Sequence, residues 1–255
     1  MPANGAIPPI YFVSDVHLGI GSASEEQRKL NLLLSLLADI RSERGDLYIV
    51  GDLFDFWYEY RSVVPRTYYR LYQALEDLRR DGCAVTYLAG NHDFAIGDFF
   101  SRDLDVTVVR DDLEFTAQGR RFYLFHGDGL ALRDGGYRLL KRVLRSPISQ
   151  GLYRMLHPDL AFAIARRFSH TSRDYTSTRD YGESDGMRVE AERRITSGSD
   201  IVIMGHRHLP KQETIGTGVY LNLGDWLSHY TYAVCRDGAI ALYTMRQGIQ
   251  ELYAA

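Results

Sequence analysis

Six short polar motifs, each directly after an apolar strand-like run, hold five of the eight histidines in this chain of 255 residues. Strand ends in a layered α/β domain converge at one edge of the sheet, so side chains far apart in sequence can meet there. The pattern predicts an α/β fold with a single polar centre. The motifs are Asp15-Val16-His17, Gly51-Asp52-Leu53-Phe54-Asp55, Gly90-Asn91-His92-Asp93, His126-Gly127-Asp128, Gly205-His206-Arg207-His208 and Gly224-Asp225-Trp226.

Composition bounds the size and the compartment of the protein. A chain with 45% hydrophobic residues can bury a substantial core, as one large domain or as one domain with an insert. Its net charge of −3 gives no reason to expect nucleic acid as a partner. Cys83 and Cys235 lie in strand-like runs, which favours free buried thiols over a disulfide. Residues 1–9 lack signal-peptide features and no run reaches the ~18 apolar residues of a membrane span, so we expect a cytoplasmic protein.

Hydrophobic periodicity predicts alternating strands and helices in the first half of the chain. Ser24 and Gln27 form a capping-box pattern before one helix, and Pro65 opens a second. This β-α-β-α-β order is typical of a parallel sheet. The second half changes to short strands, with a hairpin signal at Asp237-Gly238. We expect two facing mixed sheets flanked by helices, within one domain over residues 1–255.

The segment between the His126 and His206 motifs is longer than this core needs, and we interpret residues 133–196 as a helical insert. From Arg133 to Arg179 it contains ten lysines and arginines but only three acidic residues. Apolar residues recur beside these cations at three- and four-residue spacing, as in an amphipathic helix. The insert is either a solvated helical face or a cap that binds an anionic, partly apolar ligand or an anionic lipid surface.

Five of the six motifs supply candidate ligands for a two-metal hydrolytic site. Two divalent ions can neutralise the oxygens of a phosphate ester and lower the pKa of an attacking water. Such a site needs a carboxylate that bridges the ions, with oxygen and imidazole ligands around it. The predicted bridge is Asp52. One ion would be held by Asp15, His17, Asp52 and His208, and the other by Asp52, Asn91, His126 and His206.

Each motif alone has a simpler explanation. An isolated Asp-x-His or Gly-Asp is more often a turn than a pair of ligands. Gly-His-x-His after a strand is a stronger signal, because alternate residues of an extended chain project to one side. All six motifs in this order favour the metal site.

Two further polar residues accompany the predicted ligands. His92 directly follows Asn91, and as an imidazolium it could stabilise transition-state charge or protonate the leaving oxygen. Asp55 could orient the ring of His92 through its other nitrogen. The remaining acids of the motifs are interpreted as outer or turn-forming groups: Asp93, Asp128 and Asp225.

These residues, in this order, resemble the calcineurin-like metallophosphoesterase superfamily over essentially the whole chain outside the insert. The resemblance implies a four-layer α/β/β/α sandwich, with the insert between the His126 motif and the His206-His208 motif. It also implies a dinuclear centre that often contains manganese. Iron, zinc and cobalt suit the same aspartate, asparagine and imidazole ligands.

Longer motifs are similar to the UDP-2,3-diacylglucosamine pyrophosphohydrolases of lipid A synthesis. That family releases UMP and 2,3-diacylglucosamine 1-phosphate as peripheral proteins at the inner face of the membrane. The similarity is carried by residues 51–55, 90–97, 126–130 and 223–226 and by Tyr137, Ile164-Ala165-Arg166-Arg167 and Ser172-Arg173 in the insert. It implies substrate contacts at Asn91, His92, Asp134, Ser172, Thr176, Arg179 and His206.

Four positions depart from the pattern of this family. His92 stands where arginine is usual and Asp55 where glutamate is frequent, while Thr176 and Arg179 replace a typical asparagine and lysine. With the first two changes, the chain has the His-Asp pair that is found in ordinary phosphoesterases.

Three functions follow from these observations. The leading hypothesis is hydrolysis of UDP-2,3-diacylglucosamine or a similar anionic lipid, with peripheral contact to the inner membrane surface. An alternative keeps the chemistry but acts on another nucleotide-linked pyrophosphate, a lipid phosphate or a phosphodiester. A non-catalytic binding module is the third hypothesis, and it would be expected to have lost ligands.

Overall fold

The computed structural model of the protein describes residues 7–130, 146–161, 183–246 and 248–253, together with positions 143 and 164. This part of the chain contains four helices of eight or more residues, α1 (Ala23–Glu43), α2 (Tyr69–Arg80), α3 (Pro147–Arg154) and α4 (Glu183–Thr196). Its strands are β1 (Ile10–Val13), β2 (Asp46–Val50), β3 (Val85–Leu88), β4 (Thr107–Val109), β5 (Leu113–Ala117), β6 (Arg120–Leu124), β7 (Ile201–Met204), β8 (Lys211–Ile215), β9 (Gly218–Asn222), β10 (Thr231–Arg236), β11 (Ala239–Arg246) and β12 (Ile249–Leu252).

The strands form two mixed sheets. The first has the order β12-β11-β10-β1-β2-β3-β4, and the second has the order β5-β6-β7-β9-β8. In the first sheet β1 to β4 are parallel and β10 to β12 are antiparallel to their neighbours. In the second sheet β6, β7 and β9 are parallel, and β5 and β8 form antiparallel edges. Each sheet therefore has a parallel centre, whose strand ends lie along one edge.

The core consists of four layers, because successive side chains of each central strand face opposite sides of its sheet. Tyr11 and Val13 of β1 belong to the cluster that includes the apolar side of α1 and α2. Ile10 and Phe12 belong to the cluster between the two sheets, where Phe12 stacks 5.7 Å from Phe122. The outer face of the second sheet is covered by α4 through Met187, Ala191 and Ile195. The predicted α/β/β/α sandwich is confirmed.

The start of α1 differs from the prediction. Its N-cap is Ser22 with Glu25 at the third position, and the predicted Ser24-Gln27 box is wrong. The two overlapping patterns lie two residues apart, and the earlier one places a carboxylate at the positive end of the helix dipole. The hairpin prediction is confirmed, since Asp237 and Gly238 have φ values of 50° and 76° between β10 and β11.

The insert is described in part. Within the range 133–196, α4 is a layer of the core, while α3 contacts the loop after Asp55 through the ring of Tyr153, which packs on Phe56 and Tyr58. The limits of the insert stay a prediction. Both cysteines are free and buried, as predicted. In the ranges that the structure describes, none of the helices has the length and apolar character to cross a bilayer.

Candidate metal centre

All six polar motifs begin within three residues of the carboxyl end of a central parallel strand, after β1, β2, β3, β6, β7 and β9. The backbone turns sharply at these points. Five of the ten non-glycine residues with positive φ among the described residues are predicted ligands: Asp15, His17, Asp52, His206 and His208. Such conformations cost about 1–3 kcal/mol each and persist only where the surrounding structure fixes them. Their concentration here is typical of a functional site.

The first cluster joins two residues that follow β1 to one that follows β7. Asp15, His17 and His208 can direct one ligand atom each at a common point, with these atoms within 4.8 Å of one another. The Nε2 atoms of His17 and His208 are 3.1 Å apart, and Oδ1 of Asp15 lies 3.2 Å from Nε2 of His208. That Asp15 oxygen is buried and has no hydrogen-bond partner among the described residues. An orphaned carboxylate oxygen beside two imidazole nitrogens fits a cation site.

The second cluster joins the ends of β2, β6 and β7. Asp52, His126 and His206 again place their ligand atoms within 4.8 Å of one another. Nε2 of His126 is 3.3 Å from Oδ2 of Asp52 and 3.0 Å from Oδ1 of Asn91. The other nitrogen of that ring lies 2.9 Å from the carbonyl oxygen of Val50, which leaves Nε2 facing the cluster. Asn91 thus lies beside the second cluster, as its predicted role requires.

Asp52 lies between the two clusters. Its Oδ2 is 3.3 Å from His126 and also 3.6 Å from Nε2 of His17 in the first cluster. Its Oδ1 accepts a 2.8 Å hydrogen bond from the backbone N–H of His92, which fixes the plane of the carboxylate. This position between the two clusters fits the predicted bridging role of Asp52, which stays a prediction.

The charges of the centre compensate one another. Burial alone would lower the pKa of His17, but the carboxylates of Asp15, Asp55 and Asp52 outweigh it and raise the pKa to about 9. At His126, burial would also lower the pKa, but the nearby Asp52 carboxylate outweighs this effect and raises the pKa well above its ordinary value. Burial would raise the pKa of Asp52, yet His126, His92 and His17 lower it. Carboxylates that hold imidazolium protons this strongly also favour a divalent cation, whose binding would release those protons.

Two glycines are required by the close approach of the loops. A Cβ atom on Gly90 would collide with the carboxylate and backbone nitrogen of Asp52. A Cβ atom on Gly51 would collide with the imidazole of His126, and Gly51 also has a φ of 81°. Glycine at the start of these motifs therefore allows the ligands to pack around one point.

The His92–Asp55 pair differs in detail from the prediction. Nδ1 of His92 lies 2.8 Å from the backbone carbonyl oxygen of Asp55 and 3.7 Å from its carboxylate. The carbonyl can only accept, so Nδ1 donates and Nε2 is the free nitrogen of the neutral ring. Asp55 therefore orients His92 through its backbone, while its carboxylate lies equally near Nδ1 of His17, at 3.7 Å.

Two residues that orient the ligands, Ser14 and Asn222, were not singled out by the sequence. Ser14 donates to Oδ2 of Asp15 at 2.5 Å, and the N–H of His206 donates to the same oxygen at 2.8 Å. Asn222 donates to the carbonyl oxygen of Gly205 at 2.7 Å. Each follows or ends a buried strand, but a single serine or asparagine there carries no metal signal in the sequence.

The outer acids hold the loops. Asp93 accepts hydrogen bonds from the backbone N–H groups of Leu53 and Gly90 and from the hydroxyl of Tyr87. Oδ1 of Asp225 accepts three backbone N–H bonds from residues 227, 228 and 229, and its Oδ2 lies 3.9 Å from Nδ1 of His208. Both carboxylates stabilise the conformation of their loops, and the carboxylate of Asp225 also lies on the Nδ1 side of the predicted ligand His208.

The structure does not test the other four predicted substrate-binding residues. Asp134, Ser172, Thr176 and Arg179 lie outside the described residues. In the described part of the insert, Tyr153 of α3 lies 5.9 Å from the ring of Phe56, directly after Asp55. Leu152 and Met155, at the end of this helix, are 64% and 81% exposed.

The fold and the paired His/Asp clusters define a metallophosphoesterase. The family model of the calcineurin-like phosphoesterases matches residues 8–210, and the chain belongs to that family. The family and the clustered residues together indicate divalent metal binding.

Two relatives by sequence and one solved structure are also similar to this chain. The chain is 30% identical over 254 residues to a UDP-2,3-diacylglucosamine hydrolase of Porphyromonas gingivalis, covering 92% of this chain and 97% of the relative. It is 31% identical over 225 residues to a UDP-2,3-diacylglucosamine hydrolase of Pseudomonas fluorescens, covering 85% and 88%. Among solved structures, a novel archaeal phosphodiesterase matches with a TM-score of 0.49 and 13% identity, covering 92% of this chain and 98% of that one.

Proposed function

We propose that the protein hydrolyses the pyrophosphate bond of UDP-2,3-diacylglucosamine, releasing UMP and 2,3-diacylglucosamine 1-phosphate. The observation that carries this proposal is similarity at about 30% identity to hydrolases of that substrate over 85–92% of the chain. Two His/Asp clusters that share Asp52 supply the chemistry that such a hydrolysis needs.

The proposed ligands are those predicted from the sequence. Asp15, His17 and His208 would hold one ion and Asn91, His126 and His206 the other, with Asp52 between them. When bound, two divalent ions neutralise phosphate oxygens and make water nucleophilic near neutral pH. Manganese is the proposed metal, since carboxylate, carboxamide and imidazole donors suit it, with iron, zinc or cobalt as alternatives.

His92 is proposed as the group that protonates the leaving phosphate oxygen. Burial lowers the pKa of His92, although the nearby Asp52 carboxylate opposes this. The neutral ring donates from Nδ1 to Asp55, so Nε2 must take up a proton before it can donate one. An anionic phosphate next to Nε2 would favour that protonation, because an opposite charge stabilises the imidazolium.

The insert is proposed to bind the rest of the substrate. Its cations, with Arg179 among them, would pair with the phosphates, and its apolar side chains would contact the acyl chains. The exposed Leu152 and Met155 support the second part. We propose that the same surface brings the protein to the cytoplasmic face of the inner membrane.

The proposal is tested by assaying the purified full chain with manganese on UDP-2,3-diacylglucosamine and on an aryl phosphodiester. We expect UMP release from the lipid substrate, loss of that activity in Arg179→Ala, and retention in Arg102→Ala. Arg102 is a suitable control because it is exposed and paired only with Asp98 in the described structure. Equal turnover of both substrates, unaffected by Arg179→Ala, would refute the lipid assignment.

A second function is favoured by His92 and Asp55, which stand where the lipid hydrolases usually have arginine and glutamate. A phosphodiesterase or another pyrophosphatase would use the same metals and the same His92. Because both functions use the proton of His92, they are separated by the substrate. Turnover of an aryl phosphodiester far above that of UDP-2,3-diacylglucosamine would favour the second function, and the reverse would favour the first.

A further inference from the structure

Lys29 is a buried cation whose partner is the backbone of a proposed metal ligand. It lies in the second turn of α1 and is 3% exposed, although an ammonium group is seldom buried unless it is paired. Its Nζ donates a 2.6 Å hydrogen bond to the carbonyl oxygen of His17 and lies 2.8 Å from Oε1 of Glu26. The cost of burying this charge is thus offset by the His17 carbonyl of the loop and by the Glu26 carboxylate of the same helix.

Glu26 binds two further backbone groups of the same loop. Its Oε2 accepts a 2.7 Å hydrogen bond from the N–H of Gly19, and its Oε1 accepts one of 2.8 Å from the N–H of Gly21. Lys29 and Glu26 together therefore hold three backbone groups of the segment that follows Asp15. Both side chains come from one helix turn, so they act on the loop as a unit.

The loop needs this support because the backbone of His17 is strained. His17 has a φ of 47°, a conformation that side-chain-bearing residues adopt at an energetic cost. Its amide N–H donates to the carbonyl oxygen of Asp52 at 3.0 Å, and its carbonyl accepts from Lys29. Both sides of the His17 backbone are fixed in this way, one by the proposed bridging ligand and the other by Lys29.

We propose that Lys29, supported by Glu26, is a positioning residue that fixes His17 for the ion of the Asp15–His17–His208 cluster. The inference rests on the proposed dinuclear centre. Without the ammonium, the carbonyl of His17 loses its donor and the strained peptide can relax, which turns the imidazole away from Asp15 and Asp52. The Asp52–His126–His206 cluster has no ligand on this loop and would keep its ion.

The test is a manganese titration of the metal-free full chain, followed by electron paramagnetic resonance of the bound ions. The variant Lys29→Met keeps the apolar stem and removes the donor. We expect two ions in the unaltered protein, and in Lys29→Met one ion bound normally and one bound about 10–100-fold more weakly, with loss of the spin-coupled signal. Lys29→Arg should restore the second ion. Lys211→Met is the matched control, because Lys211 is exposed and pairs with Glu213.

The possible results separate the inference from the metal centre itself. Fewer than two ions in the unaltered protein would refute the dinuclear centre. Two ions of normal affinity in Lys29→Met, with only a lower melting temperature, would show a merely structural lysine and overturn the inference. If Lys29→Met does not fold, Glu26→Gln decides, since it should weaken the same ion, and normal binding there would overturn the inference as well.

Discussion

Asp15, His17 and Asp52 are no more than 1% exposed at the edge of the sheets, whereas Leu152 and Met155 in the insert are largely exposed. Most domains bury apolar and expose polar side chains, and each of these two regions reverses that distribution. The metal centre buries charge, and it can do so because imidazoles and loop backbone groups lie against its carboxylates, with the orphaned Oδ1 of Asp15 left for a cation. In the described part of the insert, Leu152 and Met155 expose apolar surface, which a ligand or a membrane can cover. Under the proposed function, chemistry and substrate recognition have different structural supports, and variants can separate them.

The largest effect is expected at the residue that joins the two metal clusters. Asp52→Asn keeps the shape but removes the charge shared by His17 and His126, and we expect the turnover number to fall by about 10³-fold or more, as for loss of a preorganised charge contact. Asp46→Asn, at the opposite end of the same strand, is the control and should retain activity. Steady-state assays with metal analysis of both variants check this. Turnover within tenfold of the unaltered protein in Asp52→Asn would remove Asp52 from the centre.

Adding one methyl group should have opposite effects in the two regions. Gly90→Ala would push a Cβ atom into Asp52 and should destabilise the protein by about 1–3 kcal/mol, with loss of metal affinity. Gly151→Ala in α3 meets open space and should be neutral or stabilising by up to about 1 kcal/mol. Urea unfolding of the metal-free variants measures both. A harmless Gly90→Ala would contradict the tight approach of the loops.

A smaller effect on metal binding is expected from a change at Asp225, whose carboxylate lies 3.9 Å from Nδ1 of His208. Asp225→Asn keeps an oxygen for the three backbone N–H groups but removes the charge that faces Nδ1 of His208. Loss of such an outer partner should weaken manganese binding by about 10–100-fold while the fold is retained. Calorimetric titration gives the affinity, and Asp237→Asn in the β10–β11 turn provides a surface control. An unchanged affinity would reduce Asp225 to a turn-forming residue.

The smallest effect on the chemistry is expected from the insert. The double variant Leu152→Ser/Met155→Ser removes apolar surface from the end of α3 and should raise KM for the diacylated substrate about tenfold, the equivalent of partly burying one apolar side chain. Hydrolysis of an aryl phosphodiester and the free energy of unfolding should stay nearly unchanged. Val189→Ser on α4 is the control, since Val189 is an exposed apolar residue of the core layer. A parallel loss on both substrates would mean that α3 supports the centre itself.

The elements of the first half were predicted because their sequences carry local signals. The run before Asp15 and the run before Gly51 are apolar and short, and both are strands. The hairpin at Asp237-Gly238 was predicted because only residues that tolerate positive φ suit such a turn. The start of α1 was misplaced by two residues, since two similar capping patterns overlap and their local signals do not distinguish them. The contact between His92 and the backbone of Asp55 could not be predicted, because it depends on where two loops from different strands meet.

By itself, the sequence determined which side chains follow which strands, since apolar runs and the polar motifs after them are local features of the chain. It thereby determined the four-layer fold and the set of residues at the centre. Only the tertiary structure decided how these residues are held: the strained backbone at His17 and Asp52, the buried Lys29 beneath the first loop, and the backbone contact that sets the free nitrogen of His92. The physical reason is that orientation depends on contacts between loops distant in sequence, and these distances exist only after the two sheets have packed.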